Sequence, residues 1–226
     1  MNVSNVIPAQ KSVREFAYST LKEQIMKLEL EPGRKISESE ITKNLTVSRT
    51  PIREAFQRLA QEELLVIYPQ RGTEVSKIDL DHVEEARFLR ENTERGIVKE
   101  ACLEFSEEYL FQLEMNLNMQ ELCDKKQNYS RLYQLDDEFH RILFSGCKKD
   151  RIWNLLQQMN SHFNRLRILR LSSGMEWDNI ITQHKKIYEL ILSKDTDKVD
   201  EVMEKHLKLV VTEKDVLKEK YPDYFK

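Results

Sequence analysis

The sequence predicts a mostly α protein, with an N-terminal winged helix-turn-helix at 1–78 followed by an all-α antiparallel six-helix bundle at 79–226. Three observations predict it. Apolar residues recur at helical spacing through nearly the whole chain. One stretch, "LLVIYPQRGTEVSKI", changes to strand period around a tight turn. Five glycines and five prolines in 226 residues leave little sequence for long loops or many β-turns.

Residues 1–10 read as a polar, frayed start. Val13, Phe16, Ala17, Leu21, Ile25 and Leu28 then set a first helix, which the Pro32-Gly33 turn ends. In "SESEITKNL", Ser37 or Ser39 is the N-cap, and Glu40 three residues after Ser37 makes a capping box. A third helix opens at "VSRTPIREAFQRLAQ", 47–61. Ser48 caps it, and Pro51 falls in the first turn, where its missing N–H costs nothing. Ile52, Ala55, Phe56 and Leu59 form its buried stripe. A two-stranded ribbon with "PQRG" as its turn completes the winged helix-turn-helix.

Beyond Leu80 no strand signal appears. Apolar residues at i, i+3, i+4 mark helices near 80–104, 106–126, 129–145, 148–171, 176–193 and 196–219. Breaks fall at Ser106, Asn128-Tyr129, Gly146, "SSG" at 172–174 and "SKDTD" at 193–197. Such short connections force neighbouring helices to run antiparallel.

Composition narrows the function classes. No apolar run approaches the roughly 20 residues that span a bilayer, and no signal-peptide core is present. The reading is therefore cytoplasmic, with no membrane partner. Cys102, Cys123 and Cys147 are odd in number and lack CxxC spacing, so they read as reduced packing thiols. Net charge is −3, but residues 1–78 hold 12 Lys/Arg against 10 Asp/Glu. A mildly basic head on an acidic body permits DNA contacts in the head without establishing them.

Basic and hydroxyl side chains crowd the entrance of the 47–61 helix. A phosphate-cradling P-loop is excluded, because there is no Gly-rich turn and no GK[ST]. A nucleophile elbow is excluded too, since Ser48 lacks the GxSxG glycines. A recognition helix uses every residue. The N-terminal side chains of such a helix reach base edges in the major groove, and arginine suits bidentate contact with guanine.

Four histidines, at 140, 162, 184 and 206, are spaced by 22. A helix plus a short loop takes about that many residues here, so equal spacing brings mid-helix positions to similar depth. His140, His184 and His206 lie on inward stripes, and Asp136, one turn before His140, shares its face. Buried separately, one carboxylate and three imidazoles are costly, whereas a divalent cation satisfies all four. Three nitrogens and one oxygen suit a Zn, Ni or Mn-type ion with open positions.

"EPGRKISESEITKNLTVSRTPIREAFQRLAQEELLVIYPQRGTEV" resembles the DNA-binding head of the GntR family of bacterial transcription regulators. The resemblance implies DNA contacts by Ser48, Arg49, Thr50 and Arg53 in the helix, and by Arg71 and Gly72 in the wing. Thr46 stands at a turn position often held by Gly, and the Gly often seen before the wing strand is replaced in "EELL". "LDDEFHRILFSG", "QHKKIYELI" and "MEKHLKLV" resemble the metal-bearing segments of the FCD effector domain found in the FadR-type branch. That resemblance implies Asp136, His140, His184 and His206 as ligands and leaves His162 to packing. "EEARFLRENTE" is similar to the domain's first helix, where an arginine meets an anionic ligand; this points to Arg87, with a salt bridge to Glu84 or Glu91 as the alternative. Together these imply a homodimeric transcription regulator, by resemblance a repressor, that binds double-stranded operator DNA with an inverted repeat. A small organic acid would complete the metal's shell, with Arg87, Arg165 or Arg167 as counter-charge. Two alternatives stand beside it. One is a metal-dependent enzyme, for which no Glu at HExxH-type spacing supplies a general base. The other is a constitutive DNA-binding protein with a structural metal.

Overall fold

The computed structural model describes residues 12–174 and 178–226; the polar start and the first residues of the predicted 176–193 helix lie outside them. The chain divides into two compact units, one of residues 1–80 with 218–226 and the other of 81–217.

The first unit opens with α1 (Val13–Met26), capped by Ser12, whose side chain accepts from the Glu15 backbone N–H. β1 (Lys35–Ile36) and α2 (Glu38–Leu45) follow. Of the two candidate caps for α2, Ser37 performs the role, its hydroxyl 3.1 Å from the Glu40 backbone N. Then come α3 (Arg49–Gln61), β2 (Leu65–Tyr68) and β3 (Gly72–Val75). The core joins Phe16, Leu21 and Ile25 of α1 to Ile41 and Leu45 of α2 and to Ile52, Phe56 and Leu59 of α3.

The ribbon gains a strand that the sequence did not predict. β1 pairs antiparallel with β3, Lys35 opposite Glu74 and Ile36 opposite Thr73, so the sheet order is β1-β3-β2. Two residues are too short to carry a period-2 signal. Gly33 in the preceding turn sits at φ +81 and donates its N–H to the Val75 carbonyl at 2.8 Å, which ties the turn to the strand. The tail also differs from the predicted division. Lys218–Lys226 group with the head. Phe225 bridges Ile78, the Ile78 N–H donates to the Tyr224 carbonyl, and Lys226 pairs with Asp79.

The second unit contains α4 (Leu80–Leu103), α5 (Glu107–Lys125), α6 (Tyr129–Gly146), α7 (Asp150–Met159), α8 (Ser161–Ser172), α9 (Asp178–Ser193) and α10 (Thr196–Thr212), followed by α11 (Lys214–Lys220). α5 packs on α6 and α9, and α9 on α10. The helix expected over 148–171 is interrupted at Asn160. Its two halves face different surroundings. α7 buries only Trp153 and Leu156, whereas every residue of α8 from Ser161 to Arg170 is buried. One straight rod cannot lie on the surface and also run through the interior. The segment expected at 196–219 is likewise interrupted, at Glu213.

Thr46 and Glu63, where the resemblance often places Gly or replaces it, both adopt left-handed backbone, at φ 56 and φ 58. A side chain with a Cβ costs roughly 1–2 kcal/mol there, and a β-branched one is the harder case. Thr46→Gly is expected to stabilise the protein by up to about 1 kcal/mol, because relieved strain exceeds glycine's added unfolded-state entropy. Chemical denaturation checks this; a lower midpoint would contradict it.

Candidate metal centre and nucleic-acid interface

The entrance of α3 is built so that its apolar face is committed and its polar face is not. Pro51, Ile52, Ala55, Phe56 and Leu59 are buried, while Ser48, Arg49, Thr50 and Arg53 are exposed. Ser48 has extended N-cap backbone, yet its hydroxyl makes no capping bond. The first turn has no acidic residue, so the positive helix end is not neutralised locally. Among the described residues, no ion pair engages Arg49 or Arg53. Arg58, two turns along, is different: it pairs with Glu15 and Glu62 and lies 3.5 Å over the Tyr18 ring. In the wing, Arg71 is exposed, and Gly72 at φ +110 has open space where a Cβ would stand. Gly72 is thus required for its backbone angle and not for packing.

In the second unit, Asp136 and His140 come from α6, His184 from α9 and His206 from α10, all buried. One ligand atom from each lies within 4.8 Å of all the others. His206 Nε2 is 3.2 Å from His140 Nε2 and 3.3 Å from His184 Nε2. Asp136 Oδ1 is 3.8 Å from His184 Nε2.

The opposite edges of the rings decide what these nitrogens can do. The Leu135 carbonyl accepts from Asn116 Nδ2, Asn116 Oδ1 accepts from Gln120 Nε2, and Gln120 Oε1 therefore faces His184 Nδ1 at 2.9 Å. An amide oxygen only accepts, so the proton of His184 sits on Nδ1 and Nε2 carries a lone pair. Gln183 Oε1 meets His206 Nδ1 at 3.0 Å, and Glu94 Oε2 lies 2.5 Å from His140 Nδ1. Burial, together with neighbouring positive groups, pushes the pKa of His184 and of His206 well below the ordinary histidine value, so both rings stay neutral. The three Nε2 atoms thus converge beside a carboxylate, and the neutral His184 and His206 present lone pairs there. That donor set fits a divalent cation, which resolves the mutual repulsion.

A small cavity of about 20 Å³, room for about one water, lies beside the cluster, lined by Asp136, His140 and His206, by Arg90, Arg167 and Arg170, and by apolar side chains of α8, α9 and α10. Arg167 hydrogen-bonds to Asp136 Oδ2, and Arg170 pairs with Glu213. Burial lowers the Arg167 pKa to about 10. For Glu94, burial alone would raise the pKa, but the charges of Arg90 and His140 outweigh it and hold the carboxyl below its ordinary range.

Of the arginines read from sequence as counter-charges, Arg167 lines the cavity and the other two do not. Arg87 is engaged by Glu84 and Glu91 on its own helix, the arrangement weighed as the alternative. Arg90, nearly a turn further along, lines the cavity instead. Arg165 is fully buried and contacts His162 Nδ1 at 2.9 Å. His162 packs against His82, with ring centroids 4.6 Å apart, and stands outside the cluster. Sequence reasoning missed Arg90, Glu94, Gln120 and Gln183. A signal existed for two of them: Arg90 and Glu94 share a face of α4 with Val83, Ala86 and Ile97, and charges on a core stripe mark a polar interior.

Residues 13–75 match the family described as bacterial regulatory proteins, gntR family, and residues 85–209 match the FCD domain. The chain belongs to the GntR family of bacterial regulators and carries an FCD domain. It is therefore a DNA-binding transcription regulator and not an enzyme, which sets the enzyme alternative aside. The regulator is 28% identical over its whole length to the HTH-type transcriptional repressor RspR of Escherichia coli K12, covering 99% of that protein. It is 30% identical to an HTH-type regulator in an unstable DNA locus of Streptomyces ambofaciens, covering 94% of this chain and 89% of that one. Its fold is similar to that of E. coli McbR/YncC, with a TM-score of 0.77, 17% identity, and coverage of 94% of this chain and all of the other.

Two outcomes follow. Arg49→Ala should cost about 1–3 kcal/mol on operator DNA and loosen base preference, read by fluorescence anisotropy and footprinting; unchanged affinity and footprint would refute the role. His184→Ala should strip bound metal from the protein, read by elemental analysis; equal occupancy in variant and parent would count against this ligand.

Proposed function

We propose that the regulator is a homodimeric, ligand-responsive repressor whose FCD domain senses a small organic acid through a bound divalent metal of the Zn, Ni or Mn type. The observation that carries this reading is the meeting of three imidazoles and Asp136 at the edge of a cavity that also presents Arg90, Arg167 and Arg170. Asp136, His140, His184 and His206 would hold the ion, which supplies a Lewis-acidic position for an incoming carboxylate. The arginines favour an anion, and Phe163, Ile180, Leu207 and Val210 give its body an apolar wall.

Ser48, Arg49, Thr50 and Arg53, with Arg71 and Gly72 in the wing, form the proposed contact with double-stranded DNA in the cytoplasm. Two such heads related by a two-fold axis match an inverted repeat. The repressor assignment is supported by the similarity to RspR, a transcriptional repressor. A ligand changes operator affinity only through its unequal affinity for the two states of the protein.

The test begins with mass spectrometry of the small acid that co-purifies with the protein. The metal-loaded protein is then titrated onto operator DNA with and without that acid. The expected result is weaker DNA binding when the acid is present, with a dimeric mass by light scattering. Operator affinity indifferent to the acid would overturn the sensor reading and assign the ion a structural role alone.

A further inference from the structure

We propose that Glu94, braced by Arg90, is the positioning residue that holds His140 with its Nε2 presented to the ion, an inference that rests on the metal-sensor reading above. The acceptors behind the three imidazoles are not alike. His184 and His206 face the amide oxygens of Gln120 and Gln183. His140 alone faces a carboxylate, with Glu94 Oε2 2.5 Å from Nδ1.

An amide can turn over and present its NH₂, which accommodates either tautomer of the histidine it meets. Gln120 is prevented from doing so by the Asn116–Leu135 chain. An ionised carboxylate has no donor to offer in any orientation. Of the two neutral tautomers of His140, Glu94 therefore favours the one with its proton on Nδ1, the form in which Nε2 is the lone-pair donor. Arg90 Nε donates to Glu94 Oε1 at 2.6 Å from the preceding turn of α4. Glu94 is 1% and Arg90 2% exposed, so the pair is held by protein rather than by bulk water. Glu94 and His140 come from different helices, α4 and α6, so the contact also fixes the ring's direction across the bundle. A negative acceptor raises the electron density on the opposite ring nitrogen, which strengthens it as a ligand.

The test uses the full-length protein and Zn²⁺ alone. Affinity is read by competition with a chromophoric chelator for the parent, Glu94→Gln and Glu94→Ala. In parallel, ¹⁵N NMR of the metal-free proteins reads which nitrogen of His140 carries the proton. The expected result is an affinity loss on the order of 10–100-fold in Glu94→Ala. The same variant should move His140 protonation from Nδ1 towards Nε2. Glu94→Gln, which preserves shape and removes charge, should lose less, and it carries the test if Glu94→Ala does not fold. Variant affinities within about twofold of the parent would overturn the proposal. An affinity loss with His140 still protonated on Nδ1 would also overturn it, since the loss would then arise elsewhere. A parent protein that takes up no Zn²⁺ would sink the sensor reading itself, whereas parent binding with indifferent variants sinks only the role of Glu94.

Discussion

Three imidazoles meet through their Nε2 edges inside the second unit, His206 lying 3.2 Å from His140 and 3.3 Å from His184, with Nδ1 of each turned to a side-chain oxygen behind it. The arrangement of the helices around them follows from this constraint. α6, α9 and α10 must approach at one depth to bring His140, His184 and His206 together, and α4 and α5 must supply Glu94 and Gln120 behind them. With Nδ1 donating to an amide oxygen, His184 and His206 each offer a lone pair at Nε2, beside the Asp136 carboxylate. A divalent cation would satisfy these donors, and the low pKa of His184 and His206 keeps those two rings in the neutral form that could ligate one.

The interior around the cluster is rich in arginine. Among the described residues, Arg90, Arg165, Arg167 and Arg170 are buried, against Glu94 and Asp136 as buried carboxylates. Glu213, which is part-exposed, answers Arg170. Buried charge is tolerated when paired, and each arginine that lines the cavity has a carboxylate partner, Arg90 with Glu94, Arg167 with Asp136 and Arg170 with Glu213. α8 carries three of these arginines and is buried along nearly its whole length, which is why it parts from the surface helix α7 at Asn160.

Much of this was legible in the sequence because it depends on periodicity. The 22-residue spacing of histidines, combined with helix-plus-loop length, placed His140, His184 and His206 at one level, and the i−4 relation placed Asp136 on the same face. The entrance of α3 was legible because capping and proline preferences are local, and Ser37 and Ser48 occupy their N-cap positions. What was not legible depends on partners distant in sequence. β1 is too short to show a period, and the return of Phe225 to Ile78 spans most of the chain. Arg87 and Arg90 lie three residues apart and look alike in sequence. Only packing shows that one is answered by neighbours on its own helix while the other reaches the cavity. The second ring of acceptors was least visible, because Gln120 and Gln183 are ordinary helix residues until a histidine lies against them.

The account stands on the convergence of those three nitrogens on a single ion. X-ray absorption spectroscopy of the metal-loaded protein tests it most directly. The account predicts a first shell with three imidazole nitrogens at about 2.0–2.1 Å, if the ion is Zn²⁺, plus oxygen ligands that include one carboxylate. A shell with one imidazole or none, or one containing sulfur, would contradict it.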